Sequence, residues 1–464
     1  TNVTVDGRFG NDIITGNGDA NTIRGGGNDD TLNGGAGDDT FLVNGTGEGL
    51  DIYNGGLGDD VIKAQVAGTN IGLKGNFTST NSIKEISANG FLNVNVIGDD
   101  TGTTLDFSGT TLTNVTVDGR FGNDTITGNA AANTLRGGEG ADTIRGSAGE
   151  DTLFGDGGND TFTVVGGGDG LDTVNGGAGN DTWLGIGGAD VFYVTSSLGN
   201  LISVENINGG ASTDQIVATA GDDVLDFSTG PTLTSIEEIL GGAGNDTITG
   251  NADDNTIRGG TGIDSLTGEN GNDTFTVVGG GDGLDTVVDG GNGNDTWLGI
   301  GGADVFYVTS GLGNLISVEN INGGASTDQI VATAGDDVLD FSTGPTLTSI
   351  EEINGGSGND TITVSNALAT NYRGSAGTDT FVVTTASAES TILDFDDAGD
   401  DRIDLSNFGL SLAQIQALTT QVGADIRIDL TSASGSGGAG TGDIILVGTN
   451  LTTLDFAGTT DFIL

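Results

Sequence analysis

The chain of 464 residues contains no cysteine, no histidine and no methionine, and only two prolines. Each absence removes a class of structure or chemistry. Without cysteine there is no disulfide framework. Without histidine or cysteine the familiar zinc sites cannot be built, nor can Ser-His-Asp or Cys-His nucleophile systems. No apolar run approaches the roughly 20 residues that a membrane helix needs, and no N-terminal signal peptide is visible. Basic residues are also scarce: 12 Lys and Arg stand against 66 Asp and Glu, a formal net charge of −54. Nucleic acid and anionic lipid surfaces are thereby excluded as partners. Self-repulsion of this size opposes any compact state unless cations neutralise it.

What is abundant is glycine, 89 residues. Without a strict three-residue period and without proline it does not read as collagen. It marks many tight turns at positive φ. The acidic residues are not scattered as in a disordered chain. They recur in register with Val, Ile, Leu and Phe.

The shortest period is nine. Residues 7–42 read GRFGNDIIT, GNGDANTIR, GGGNDDTLN, GGAGDDTFL. The sixth position holds Asp12, Asn21, Asp30 and Asp39, and the eighth Ile14, Ile23, Leu32 and Phe41. The register returns with Asp124, Asn133, Asp142, Asp151 and Asp160, and again with Asp246, Asn255, Asp264 and Asp273. Further copies place Asp60, Asp181, Asp190, Asp295, Asp304, Asp360 and Asp379 at the sixth position. In each run the tripeptide Gly-Leu-Asp sets Asp51, Asp172 and Asp285 twelve places after the preceding site, which reads as one enlarged turn.

A longer period of 114 overlies the short one: residues 179–239 match 293–353 with Ser197 against Gly311 the only difference. Residues 1–17 match 113–129 with Ile13 against Thr125 the only difference. Thr1 therefore aligns inside a repeat, and the chain is expected to be the C-terminal part of a longer protein. The expected organisation is a first superunit at 1–112, a second at 113–240, a third at 241–354, terminal turns at 355–382 and a cap at 383–464. Longer segments without the nonapeptide pattern, such as 194–240, separate the runs. Their short apolar stretches predict wider coils of the same stack.

Each nonapeptide divides into a six-residue turn and a three-residue strand. Alternation along the strand turns only position eight inward, and the flanking positions, often Thr as at Thr125 and Thr127, outward. Two nonapeptides make a coil and stacked coils make two parallel sheets. The resulting core is too thin to offset the ordering entropy of so much glycine. Calcium accepts six to eight oxygens. Glycine turns expose carbonyls and the sixth position adds a carboxylate, so a bound ion would bridge successive turns and binding would drive folding.

The pattern GGxGxDxUx resembles the RTX family of calcium-binding repeats. The resemblance covers about residues 7–63, 119–193, 241–307 and 355–382. It implies an all-β, calcium-bound parallel β-roll or β-solenoid, multiple calcium ions, and the aspartates named above as side-chain ligands. Asn21, Asn133 and Asn255 depart from the pattern, and their neutral oxygen predicts weak or empty turns. Arg8, Arg120 and Ile186 depart at the glycine positions.

The segment 383–464 differs in composition. One helix is predicted from Ser411, a capping residue, with Leu412, Ile415 and Leu418 near helical spacing. The chain ends Asp461-Phe462-Ile463-Leu464. One acidic residue followed by three apolar ones resembles the C-terminal signal of RTX substrates of type I secretion. That resemblance implies the secretion machinery as a partner and a secreted, extracellular or cell-surface location. Acidic pairs such as Glu237 with Glu238 recur with the repeats, whereas a catalytic pair needs one distinctive site, so no enzyme is expected in these residues. The expected function is an extracellular calcium-binding structural protein, a surface-layer, matrix or adhesin-type rod. Its partners would be further copies of itself or a cell-surface polysaccharide, with no membrane insertion. The alternative is the calcium-binding and secretion module of a larger secreted protease, lipase or epimerase.

Overall fold

The computed structural model describes residues 2–365, 371–385, 389–396, 401–430, 442–456 and 460–464. Their regular structure is almost entirely short β-strands, joined by turns. Two compact units are present: Thr1–Ala218 with Thr229–Glu237, and Thr219–Ser228 with Glu238–Leu464. Each is a parallel β-solenoid.

In the first unit the ninefold period produces the predicted coil. Strand Thr125–Thr127 pairs in parallel with Thr143–Arg145, two nonapeptides later, and Thr134–Glu139 pairs with Thr152–Gly157 on the other sheet. Position eight is inward throughout: Ile126, Ile144 and Phe162 on one sheet face Leu135 and Leu153 on the other, all at most 1% exposed. Each such side chain contributes about 1.5–3 kcal/mol by leaving water. Outward Thr125, Thr143, Thr161 and Thr182 stack in register. The separating segments continue the stack with wider coils, as expected. Thr182 pairs with Asn206, and Asn206 with Thr232, so each of these coils is longer than two nonapeptides. The extra width admits aromatic pairs such as Trp183 against Phe192, with ring centroids 5.1 Å apart and edge to face.

The second unit repeats this plan, with Trp297 edge to face against Phe306 at 5.2 Å. Its strands Val224–Asp226, Thr247–Thr249 and Ser265–Thr267 form a parallel ladder. Towards the C-terminus one sheet changes character. Thr419–Val422 pairs antiparallel with Asp425–Asp429, which pairs antiparallel with Asp443–Leu446. Those antiparallel strands end the parallel stack of that sheet, as a cap would. The predicted helix is Leu412–Leu418. Ser411 caps it by accepting from the Gln414 N–H, while the Gln414 side chain accepts from the Ser411 N–H. The terminal Phe462–Ile463 is a strand, paired in parallel with Arg402–Asp404. Among the described residues, no helix is long and apolar enough to cross a membrane.

Candidate metal centres

The turns between strands bring most of the expected aspartates into one recurring arrangement, with Asp12 at its start and Asp190 and Asp304 accepting from Gly166 and Gly279 of the enlarged turns. In each stacked pair, Oδ1 of the sixth-position Asp accepts the backbone N–H of the sixth-position residue one coil earlier. Asp30 accepts from Asp12 at 2.7 Å, Asp39 from Asn21 at 2.6 Å and Asp60 from Asp39 at 2.8 Å. In the next run Asp124 accepts from Thr103, Asp142 from Asp124, Asp151 from Asn133, Asp160 from Asp142 and Asp181 from Asp160, all between 2.7 and 2.8 Å. Asp190 accepts from Gly166. In the second unit Asp246, Asp264, Asp273, Asp295, Asp360 and Asp379 do the same, and Asp304 accepts from Gly279. At the enlarged turns Asp51, Asp172 and Asp285 continue the ladder by accepting from Asp30, Asp151 and Asp264.

These carboxylates do not cap their own turns in solvent. Asp39, Asp181 and Asp264 are fully buried, and the others named above except Asp12 are at most 6% exposed. Among the described residues, seventeen aspartates have a buried Oδ2 with no hydrogen-bond partner, fifteen of them among the twenty expected ligands. The other five differ. Asp51 Oδ2 accepts from the Tyr53 hydroxyl and Asp304 Oδ2 from the Gly301 N–H, while Asp172, Asp285 and Asp379 lack the orphaned atom.

Around each orphaned oxygen lies a small cradle formed by the first-position glycine. A Cβ added at Gly34 would lie 2.3 Å from Asp39 Oδ2 and 2.5 Å from the Gly55 carbonyl oxygen of the next coil. At Gly155 the corresponding distances are 2.2 Å to Asp160 Oδ2 and 2.4 Å to the Gly176 oxygen. A carboxylate oxygen and a carbonyl oxygen from successive coils thus converge beside a residue that must lack a side chain. Among the described residues no three acidic side chains gather at one point. A metal here would draw on one or two carboxylates and on backbone carbonyls, a donor set suited to a hard cation.

Burial without a counter-charge shows in the acidities. Desolvation pushes the Asp142, Asp151, Asp160, Asp264, Asp273 and Asp360 carboxyls up to about 6, even though each also accepts a backbone N–H that pulls it down. At the enlarged turns burial pushes Asp51 and Asp172 to about 7 and Asp285 to about 8. An isolated buried charge is costly unless paired or metal-bound.

Several members of the ladder were not expected. Asp214 and Asp328 are fully buried, with the same orphaned Oδ2. Each follows Gly-Gly-Ala-Ser-Thr, a nonapeptide without its fourth-position glycine. Where the next coil has no glycine, a serine at positive φ offers the carbonyl: Ser235 at φ 51° beside Asp214 and Ser349 at 53° beside Asp328. Glu205, Glu237, Glu319 and Glu351 also stand at the sixth position. They accept the N–H of Asp181, Asp214, Asp295 and Asp328. The signal was present in each case: an acidic residue two places before an inward Ile. A second ladder runs the opposite way at position five. Asn123 accepts from the Ala141 N–H and Asn245 from the Ile263 N–H, each one coil later.

A model of the RTX calcium-binding nonapeptide repeat matches residues 6–41, 46–64, 116–162, 166–194, 204–230, 234–284, 318–344 and 349–365, more than half of the chain. The chain belongs to the RTX calcium-binding repeat family. No curated protein matches it. The RTX matches include 204–230 and 318–344, so the family pattern extends over Asp214 and Asp328 despite the missing glycine. The RTX family is defined by calcium-binding repeats and not by a catalytic site. An orphaned buried carboxylate oxygen beside a converging carbonyl is what an RTX turn needs to receive its ion, and the residues present fit it.

Proposed function

We propose that the RTX turns hold calcium through the sixth-position aspartates, and that the protein is a secreted structural protein of the surface-layer, matrix or adhesin kind. The observation that carries the reading is the row of seventeen buried carboxylate oxygens with no partner among the described residues. The ligands would be Asp12, Asp30, Asp39, Asp60, Asp124, Asp142, Asp151, Asp160, Asp181, Asp190, Asp246, Asp264, Asp273, Asp295 and Asp360, now joined by Asp214 and Asp328. Asp304 and Asp379 share the glycine cradle, at Gly299 and Gly374. Asp51, Asp172 and Asp285 support the ladder at the enlarged turns. Calcium, when bound, supplies a divalent charge that tolerates six to eight oxygen neighbours. The protein's part is to pre-position those oxygens: Oδ1 is held by the N–H below, and the first-position glycine leaves room beside Oδ2.

RTX repeat proteins are typically exported by type I systems. The charge of −54 keeps the chain open where calcium is scarce, which suits passage through a narrow channel. Outside, calcium near the millimolar range fills low-affinity sites, and binding drives folding. The terminal Asp461-Phe462-Ile463-Leu464 serves as the export signal. Further copies of the chain or a cell-surface polysaccharide are its partners. Circular dichroism of the full chain tests the reading: β structure should appear with added calcium and vanish with chelator. A chain that stays fully folded in chelator would sink it.

A further inference from the structure

The three enlarged turns carry a second acidic residue that the ladder does not use: Glu48, Asp169 and Asp282, at 6%, 8% and 8% exposure. One oxygen of each accepts the backbone N–H four places earlier, from Asn44 at 2.9 Å, Val165 at 2.9 Å and Val278 at 2.8 Å. The other oxygen faces an arginine of the coil below. Arg24 Nε donates to Glu48 at 2.8 Å, Arg145 lies 3.5 Å from Asp169, and Arg258 lies 3.5 Å from Asp282. In all three the arginine precedes its acid by the same interval in sequence. It follows the inward Ile of the strand that pairs with the strand leading into the turn: Ile23 with Phe41, Ile144 with Phe162, Ile257 with Phe275. A chain with only 12 Lys and Arg has placed one at this point in every run.

We propose that the guanidinium is the built-in cation of the enlarged turn, making it a calcium-independent clasp that fixes the register of the stack. The need for a register device follows from the repeats themselves. A slip by one coil keeps position eight inward and leaves the aspartates in their column, so neither the core nor the ladder selects one pairing. The arginine and its acid occur once per run and meet only in one register. Any other register leaves a buried carboxylate without a cation, which is strongly unfavourable. The side-chain length matters. Glu48 reaches both Nε and a terminal nitrogen of Arg24. The shorter Asp169 and Asp282 leave the buried Nε of Arg145 and Arg258 without a partner.

This inference rests on the reading of the aspartate turns as calcium sites, and one experiment separates the two. Bound calcium is counted on the full chain by equilibrium dialysis against calcium chloride. Wild type that binds none would sink the reading of the turns. If it binds, the E48Q/D169N/D282N variant should hold the same number of ions, and R24Q/R145Q/R258Q should take up more, because three buried carboxylates have lost their cation. Loss of ions from the first variant, or no gain in the second, overturns the clasp. Should the arginine variant fail to fold, D169E/D282E decides. The longer side chain should lower the calcium midpoint of folding by about two- to fivefold, the scale of a partly exposed ion pair, and an unchanged or raised midpoint overturns the clasp.

Discussion

Each run sets one Asn turn among its Asp turns, and the two kinds solve the same problem with different chemistry. In the turn ending at Asp142 the second-position Gly138 has φ 108°, and Asp142 Oδ2 is left without a donor. In the turn ending at Asn133 the second position is Asn129, whose N–H donates to Asn133 Oδ1 at 2.7 Å. The Asn133 amide group returns a bond to Asn129 Oδ1 at 3.1 Å. Asn255 and Asn251 repeat the pair at 2.8 and 3.0 Å. The Asn133 and Asn255 turns close on themselves with neutral groups, whereas the Asp142 turn keeps a buried oxygen that a cation would complete. The Asn21 turn, whose Oδ1 also lacks a partner, does not close this way. At Asn129 and Asn251 the second position supplies a donor to the sixth-position side chain, and at Gly138 it does not.

The broadest way to sharpen that contrast is to remove the metal. With calcium chelated, the coils built on Asp turns should lose their β structure, seen as a collapse of the far-ultraviolet dichroism. Amide exchange should rise first beside Asp142 and Asp264 and last at Asn129 and Asn251. Uniform exchange across both kinds of turn would mean that the Asn pairs hold nothing.

Acid offers a second route, because a protonated carboxyl is neutral like the asparagine amide. The Asp142, Asp151 and Asp160 carboxyls sit at about 6 in the folded chain, above the ordinary aspartate value near 3.9. A raised acid stabilises the metal-free fold fully below that ordinary value and loses the contribution as pH rises through the folded value. In chelator, structure should therefore return as pH falls from about 8 towards about 4, with the enlarged-turn Asp285, at about 8, protonating first. In calcium the sign reverses, since protons compete for the same oxygens. A chelated chain with flat dichroism across this range contradicts the assignment.

Single substitutions probe one turn at a time. Asp151→Ala removes the acceptor of the Asn133 N–H and should cost about 1–3 kcal/mol for that buried donor, with a further loss that appears only when calcium is present. Asn133→Ala removes the pair with Asn129 and should cost about 1 kcal/mol per bond, the same with or without calcium. Thermal midpoints at two calcium concentrations distinguish the cases. Asn129→Gly combined with Asn133→Asp should convert the turn and make its stability depend on calcium.

Much of this was legible in the sequence because the ninefold period is an even partition of the coil. Position eight had to be inward and position six had to stack, so Asp30, Asp124 and Asp264 fell where the spacing put them. Asp214 and Asp328 were missed because the turn was recognised by its glycines, while the structure needs only the first one and a carbonyl above it. Serine supplies that carbonyl at positive φ, at Ser235 and Ser349, which composition does not announce. The Asn turns were legible as departures at Asn133 and Asn255, but their closing partners Asn129 and Asn251 were not. Their role depends on where the second-position N–H points. The clasps were hidden for another reason: Arg145 and Asp169 are distant in sequence, and their separation is not a multiple of the ninefold period.

The smallest effect concerns the second position itself. If a left-handed φ there is what turns the N–H away and leaves the carboxylate for a cation, the residue that adopts it should matter little beyond its strain. Several turns hold a residue other than glycine in this conformation: Arg8 at φ 74°, Arg120 at 80°, Ser147 at 75° and Glu269 at 79°. A side chain in the left-handed region costs about 1–2 kcal/mol, offset in part by the greater freedom that glycine has in the unfolded chain. Ser147→Gly should therefore stabilise the calcium-loaded protein by about 1 kcal/mol without changing the number of ions bound. Ser147→Asn, which tolerates the same φ, should leave stability near wild type. If Ser147→Gly were neutral while Ser147→Asn abolished the calcium dependence of that coil, the side chain at position two, and not its backbone angle, would be what separates the two kinds of turn.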